Sequence, residues 1–290
     1  MTGGEGANVT PQAAAALVAH KTWRTVEPLH GMIYFVPEAA EQYARLGITG
    51  RAGYFASRAA PMGAVSADVV IATFFNFNPE LVRRAIPDAW DHATPADLIA
   101  ARFNAVDAAC RRILGNEVVE SPDMVRAAAL ARTAAEAATR HVEGRPLAAG
   151  HADLEWPIQP HLQLWHAQSI LREFRGDGHI ALLVTHGLNG LEALVTHAAA
   201  GEVPARVLLA TRAWPEEAWQ RARDDLRQRG WLEPGDELRF TTSGARQRQE
   251  IEDGTDALSS VPYQALGEEG CTELRSLVRP WSKVFAEHLR

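Results

Sequence analysis

WPEEAWQRARDDLRQRGWLEPGDELRFTTSGARQRQEIEDGTDAL, residues 214–258, sets out a helix, a break, a tight turn and a second helix. Trp214-Pro215 opens the first helix, and Ala218, Trp219, Ala222 and Leu226 recur on one face of it. Gly230-Trp231-Leu232 ends that helix. Pro234-Gly235-Asp236 then makes a turn between two short extended pieces, WLE and ELRFT. Thr241 or Thr242 supplies a side-chain oxygen to cap the helix that follows. A short helix from Pro204 to about Thr211 precedes the segment, so the order is two helices, a small hairpin and a further helix.

That order is the one a winged helix-turn-helix domain follows. The segment resembles the second half of a MarR-type winged helix, and the chain as a whole resembles the SalK-like actinobacterial family of helix-turn-helix-related proteins. The stretches that carry the likeness are EPLHGMIYFVPEA (27–39), GYFASRAAPMG (53–63), FFNFNPELVRRAIPDAW (74–90) and LREFRGDGHIALL (171–183), with the segment above. The resemblance implies a helical, winged-helix-derived fold and transfers no residue-by-residue mechanism. The expected architecture is mainly α with a small β-hairpin wing, in two packed winged-helix-like halves. Residues 143–160, with three prolines and two glycines, form the candidate linker. Residues 1–145 are then a helical, degenerate winged-helix half and residues 146–290 the half that carries the wing. His30-Gly31 recurs as His186-Gly187, a weak internal echo of such a duplication.

Elsewhere the helix starts are written in local chemistry. Thr10-Pro11, Asn78-Pro79, Thr94-Pro95 and Ser121-Pro122 each place a capping side chain before a proline at the first helical position. Asp97 follows Thr94 by three residues, as in a capping box. These starts predict helices from Pro11 to about Trp23, from Pro95 to about Leu114 and from Pro122 to about His141, with a further helix over Leu29–Phe35. A helix over His161–Phe174 is expected to break at Gly176 and Gly178, with Asp177-Gly178 turning the chain.

The 290 residues are 47% hydrophobic, which excludes a wholly disordered chain. No apolar run reaches the roughly 18 residues of a membrane helix, and the first residues have neither the basic region nor the apolar core of a secretory signal. A cytoplasmic protein without membrane contact is expected. Cys110 and Cys271 are the only cysteines, too few for a cysteine metal cluster or a disulfide framework. Twenty-nine basic residues face 36 acidic ones, a formal charge of -7, and Lys21 and Lys283 are the only lysines. That balance disfavours indiscriminate DNA binding and leaves specific binding open.

The helix from Pro215 to Arg229 stands where a DNA-reading helix would. Glu216, Glu217, Asp224 and Asp225 there balance Arg221, Arg223, Arg227 and Arg229, and Glu217–Arg221 and Asp225–Arg229 have the four-residue spacing of helical ion pairs. Arg221 and Gln228 are the candidates for base contacts.

A small-molecule site is the leading expectation. Glu27, His30 and Tyr34 are three and four residues apart and align on one helical face; Tyr54 and Arg58 are likewise four apart. Asn76 lies between large aromatic rings in FFNFN. Such residues suit an apolar interdomain pocket with a few directional groups. Arg58 would hold an anionic group, His30 transfer a proton, and a tyrosine, Tyr54 foremost, stabilise oxyanionic charge in an isomerisation or elimination, with Tyr34, Glu27 and Asn76 contacting substrate. The alternatives are a ligand-responsive MarR-like transcriptional regulator and a structural or partner-binding protein. Homodimerisation is compatible with the long C-terminal helices. No cofactor is predicted; a metal or haem held by His161, His166, His179 or His186 is the minor alternative. Dinucleotide, phosphate-loop and nucleophile-elbow motifs are absent.

Overall fold

The computed structural model describes residues 10–288. Thr10 caps α1 (Pro11–Gly31) by accepting the amide of Ala13. This helix passes the expected end at Trp23 because Val26 and Leu29 continue its buried stripe through Pro28. A single 3-10 turn, Met32–Tyr34, follows in place of the separate helix expected there. Next come α2 (Pro37–Arg45), α3 (Arg51–Ala59) and α4 (Ala67–Phe74). Two short helices, α5 (Pro79–Arg83) and α6 (Ala89–His92), lead into α7 (Pro95–Leu114). The capping box read from Thr94 and Asp97 is formed in both directions. After α8 (Asn116–Val119), Ser121 caps α9 (Pro122–Ala138). Residues 143–160 carry a helix of their own, α10 (Pro146–Ala152).

Helix α11 (Pro160–Thr185) runs unbroken through Gly176 and Gly178, contrary to the expected break. The reason is a close approach. A Cβ at Gly178 would meet the Arg145 guanidinium at 2.6 Å, and that guanidinium donates to the carbonyl of Phe174. The glycine makes room for a neighbour and leaves the helix intact. The remaining helices are α12 (Gly190–Ala199), α13 (Ala205–Arg212), α14 (Glu216–Gln228), α15 (Thr242–Leu258) and α16 (Ser260–His288), the last interrupted at Gly267.

The expected wing is absent. Among the described residues there is no β-sheet, only an isolated antiparallel bridge between Leu232 and Phe240. Pro234 has no amide to donate, and Gly235 turns at φ 111°. Only two main-chain bonds flank the bridge, from the Glu233 amide to the Arg239 carbonyl and from the Thr241 amide to the Trp231 carbonyl, while the Arg227 guanidinium takes the carbonyl of Glu233 and that of Gly235 in the turn. Trp231 and Leu232 are buried instead as core side chains, so the segment is a pinned loop.

Two hydrophobic cores replace the two winged-helix halves. The larger joins residues 19–174 to residues 263–285. In it α1 lies along α16, α9 packs between α16 and α11, and the alanines Ala127, Ala128, Ala131, Ala134, Ala135 and Ala138 of α9 let those backbones come close. The smaller core spans residues 183–251 and holds α12, α13 and α14 around Leu194, Leu208, Trp219, Leu226, Trp231 and Ile251. A Cβ at Gly190 would run into the carbonyl oxygen of Phe75, so the start of α12 rests directly on the chain after α4. Among the described residues no helix is long and apolar enough to cross a membrane.

Candidate functional site

Helices α13 and α14 are joined by Ala213, Trp214 and Pro215, with Ala213 in the left-handed region at φ 56°. Two helices with a three-residue connection, backed by α12, have the element order of a helix-turn-helix. The turn is fastened to the first half of the chain. Trp214 donates its indole N–H to the carbonyl of Asn76 at 3.0 Å, and the Asn78 side-chain amide donates to the carbonyl of Ala213 at 2.8 Å. Arg51 adds donations to the carbonyls of Ala210 and Thr211.

Between the two cores lies a cleft of about 600 Å³. Its walls are α13, through Val207, Leu208, Thr211 and Arg212; the aromatic run Phe74–Phe77; and α11 from Arg172 to Leu183. On its floor Arg58 donates Nε–H and Nη2–H to the two carboxylate oxygens of Glu173, at 3.0 and 2.8 Å, and Nη1–H to the Tyr54 hydroxyl at 3.2 Å. Arg172 donates to Glu27 at 3.0 Å and to Glu173 at 3.1 Å. Burial by itself would raise the Glu173 carboxyl, but Arg58 and Arg172 outweigh it and hold that group well below the ordinary carboxylate range. Asp177 shows the opposite balance. It is buried, accepts the backbone amide of Ala148 at 3.0 Å, and burial pushes it up to about 7.

The fold brings Glu27, His30, Tyr34, Tyr54 and Arg58 into one neighbourhood. Tyr34 and Tyr54 have ring centroids 5.2 Å apart, and His30 lies 5.9 Å from Tyr34. His30 stacks on Trp165 at 5.3 Å and is buried with both ring nitrogens unpartnered; burial first, then the nearby Arg172 and Arg102, lowers it well below an ordinary histidine. Burial likewise raises the Tyr34 hydroxyl. Asn76 lines the cleft with its side-chain oxygen buried and unpartnered. Arg58, read from sequence as an anion holder, already has a carboxylate. Two arginines that line the cleft have no carboxylate partner among the described residues: Arg24, which is exposed, and Arg212, which packs on the Phe77 ring at 4.9 Å with its Nε buried and unpartnered. No spacing signal pointed to the pairing of Arg58 with Glu173 or of Arg172 with Glu27, because those partners lie far apart in the chain.

The four histidines weighed as metal or haem ligands do not meet. His161 contacts Asp107 at 2.8 Å, His179 contacts the Thr255 hydroxyl at 2.9 Å, His166 packs against Trp156, and His186 stands beside Trp231. Among the described residues no group of three histidine, cysteine or acidic side chains is placed to hold a metal ion. On α14 the expected Glu217–Arg221 and Asp225–Arg229 pairs are not made. Asp224 takes Arg227 at 3.0 Å, and Arg229 reaches Glu192 of α12 at 2.9 Å. Arg221 and Gln228 are exposed.

The chain belongs to the helix-turn-helix family, whose profile matches residues 19–289. That match replaces the SalK-like and MarR-type identity read from sequence. It carries neither, and the single bridge at Leu232–Phe240 removes the wing on which the MarR likeness rested. No curated protein and no solved structure matches the chain.

Proposed function

We propose that this protein is a cytoplasmic, ligand-responsive helix-turn-helix regulator. A small organic anion seats in the cleft between the two cores, and its presence alters how α14 is offered to DNA. The observation that carries this reading is the double use of α13. It is the first helix of the helix-turn-helix, and its Leu208, Thr211 and Arg212 are also wall of the cleft. The opposite wall, Phe74–Phe77, includes the Asn76 whose carbonyl holds Trp214 of the turn. A molecule bridging those walls touches both sides of the joint, so it acts on the position of α14 through contacts that differ between the two arrangements. Arg212 would take the anionic group, and Phe74 and Phe77 the apolar body.

A second reading is favoured by one specific observation. The exposed face of α14 presents Glu216, Glu217, Asp224 and Asp225, which repel phosphate. In that reading the cleft binds and transforms the anion without DNA. Asp177 would move a proton near neutral pH, and Tyr54, its hydroxyl oxygen held by Arg58, would donate to developing oxyanionic charge.

Fluorescence anisotropy with duplexes from the region upstream of the coding sequence, at low and moderate salt, separates the two. Sequence-specific binding that weakens with salt, is lost in the Arg221→Ala/Gln228→Ala double variant and shifts on adding benzoate as a probe anion supports the regulator. Benzoate binding that depends on Arg212, with no specific retention of DNA even at low salt, assigns the second reading.

A further inference from the structure

Behind the Arg58–Glu173–Arg172 floor, away from the cleft, lies a group of buried polar side chains that the proposed function does not use. Arg102 projects from α7 with only 2% of its surface exposed. Its Nη1 donates to the carbonyl of Ser57 at 2.9 Å, while Nε and Nη2 are buried without a protein partner. The guanidinium packs over the Trp165 ring at 5.1 Å, and His30 stacks on the same ring at 5.3 Å. His151, on α10, is equally buried with both ring nitrogens unpartnered.

The chemistry of that arrangement is specific. Nε–H and Nη2–H form one edge of the guanidinium, and the same edge of Arg58, Arg112 and Arg126 is taken by the carboxylates of Glu173, Glu38 and Glu273. Arg102 presents this fork with no carboxylate to receive it among the described residues. A buried cation demands a counter-charge, which hydration of the fork by water alone does not supply. Burial, together with the charge of Arg102, keeps both His30 and His151 neutral, so each offers one N–H donor and no competing positive charge.

We propose that Arg102, with His30 and His151, is an internal receptor for a small planar oxyanion of the carboxylate class, separate from the ligand cleft. The fork of Arg102 takes two oxygens side-on, as those of Arg58, Arg112 and Arg126 take a carboxylate, with the neutral His30 and His151 as further N–H donors of the same buried polar group. Its charge completes the larger core, so the receptor stands whether or not the cleft binds the organic anion.

Formate and acetate titrated into the full chain at constant ionic strength, against sodium chloride, test the assignment. Trp165 touches both Arg102 and His30 and so reports occupancy. The expected result is a saturable change in tryptophan fluorescence with formate, abolished in Trp165→Phe, and an apparent affinity at least tenfold weaker in Arg102→Gln. The surface control Arg140→Gln should bind as the unaltered protein does. Since Arg102→Gln removes a buried group, crystals of the unaltered protein soaked in formate give a second measurement, with planar three-atom density expected on the Nε/Nη2 edge. An equal response to chloride, a response unchanged in Arg102→Gln, no saturation in the unaltered protein, or separate water peaks on that edge would each overturn the proposal.

Discussion

The floor of the cleft and the outer face of α14 are built from the same materials, arginines set against carboxylates, and they do opposite things. On the floor, Glu173 is 1% exposed and held by two guanidinium groups. On α14, Asp224 is more than half exposed and meets Arg227 in water. Desolvation makes the difference. A buried charge must be matched, so the floor is a rigid unit in which removing one member strands the others. An exposed pair gains little from its partner and leaves the helix free to exchange it for another. The buried cluster sits at the joint between the cores, and the exchangeable charges sit on the outer face of α14.

The largest effect that could break this contrast is Glu173→Gln. It leaves Arg58 and Arg172 without their shared carboxylate, and a loss of about 3–5 kcal/mol in urea unfolding is expected. A loss under about 1 kcal/mol would place the floor with the surface pairs and end the comparison.

Next comes pH. His30, His151 and His166 are buried with both ring nitrogens unpartnered, and burial lowers all three, His166 to about 4. Below about pH 6.5 the unfolded chain protonates these histidines and the folded chain does not. Their contribution is therefore full above that pH and is lost as pH falls. Asp177 has the reverse sign. Its folded carboxyl is raised to about 7, so its contribution is present at low pH and lost as pH rises toward 7. The lowered histidines, His179 among them at about 4, outnumber the one raised aspartate, so stability falls on acidification between roughly pH 6 and 5. Thermal unfolding across that range measures it, and a flat profile would mean the histidines are not neutral in the folded protein.

Gly190→Ala tests the joint itself. The added methyl meets the carbonyl of Phe75, and a loss of about 2 kcal/mol is expected. Limited proteolysis should show the smaller core opening first; uniform unfolding of both cores would make them one cooperative unit. The smallest effect is reserved for the surface. Arg221→Ala should change stability by no more than about 0.5 kcal/mol. A larger change by denaturant titration would show that α14 is docked on its outer face.

Much of the helical outline was readable because its causes are local. Thr10, Asn78, Thr94 and Ser121 announce helix starts through hydrogen bonds that close within three residues. The pair Tyr54 and Arg58 was readable for the same reason, since four residues on a helix bring the two side chains together. The turn at Pro234-Gly235 was also readable, but the wing inferred from it did not form, because the pairing stops after two main-chain bonds and Arg227, from the preceding helix, holds the carbonyls of Glu233 and Gly235. Arg58 was read as the holder of an anionic ligand group, while its partner Glu173 lies 115 residues away and gives no local sign of the pairing.

By itself, then, the amino-acid order determined where many helices begin and which of their faces are apolar, since each depends on neighbours within a turn or two. Only the tertiary structure decided which charges are buried together, that α11 passes through its glycines, that α13 forms one wall of a cleft, and that Arg102 stands inside without a carboxylate. Those outcomes depend on desolvation and close contact between segments distant in the chain, and burial, which sets the worth of every charge, is a property of the packed molecule.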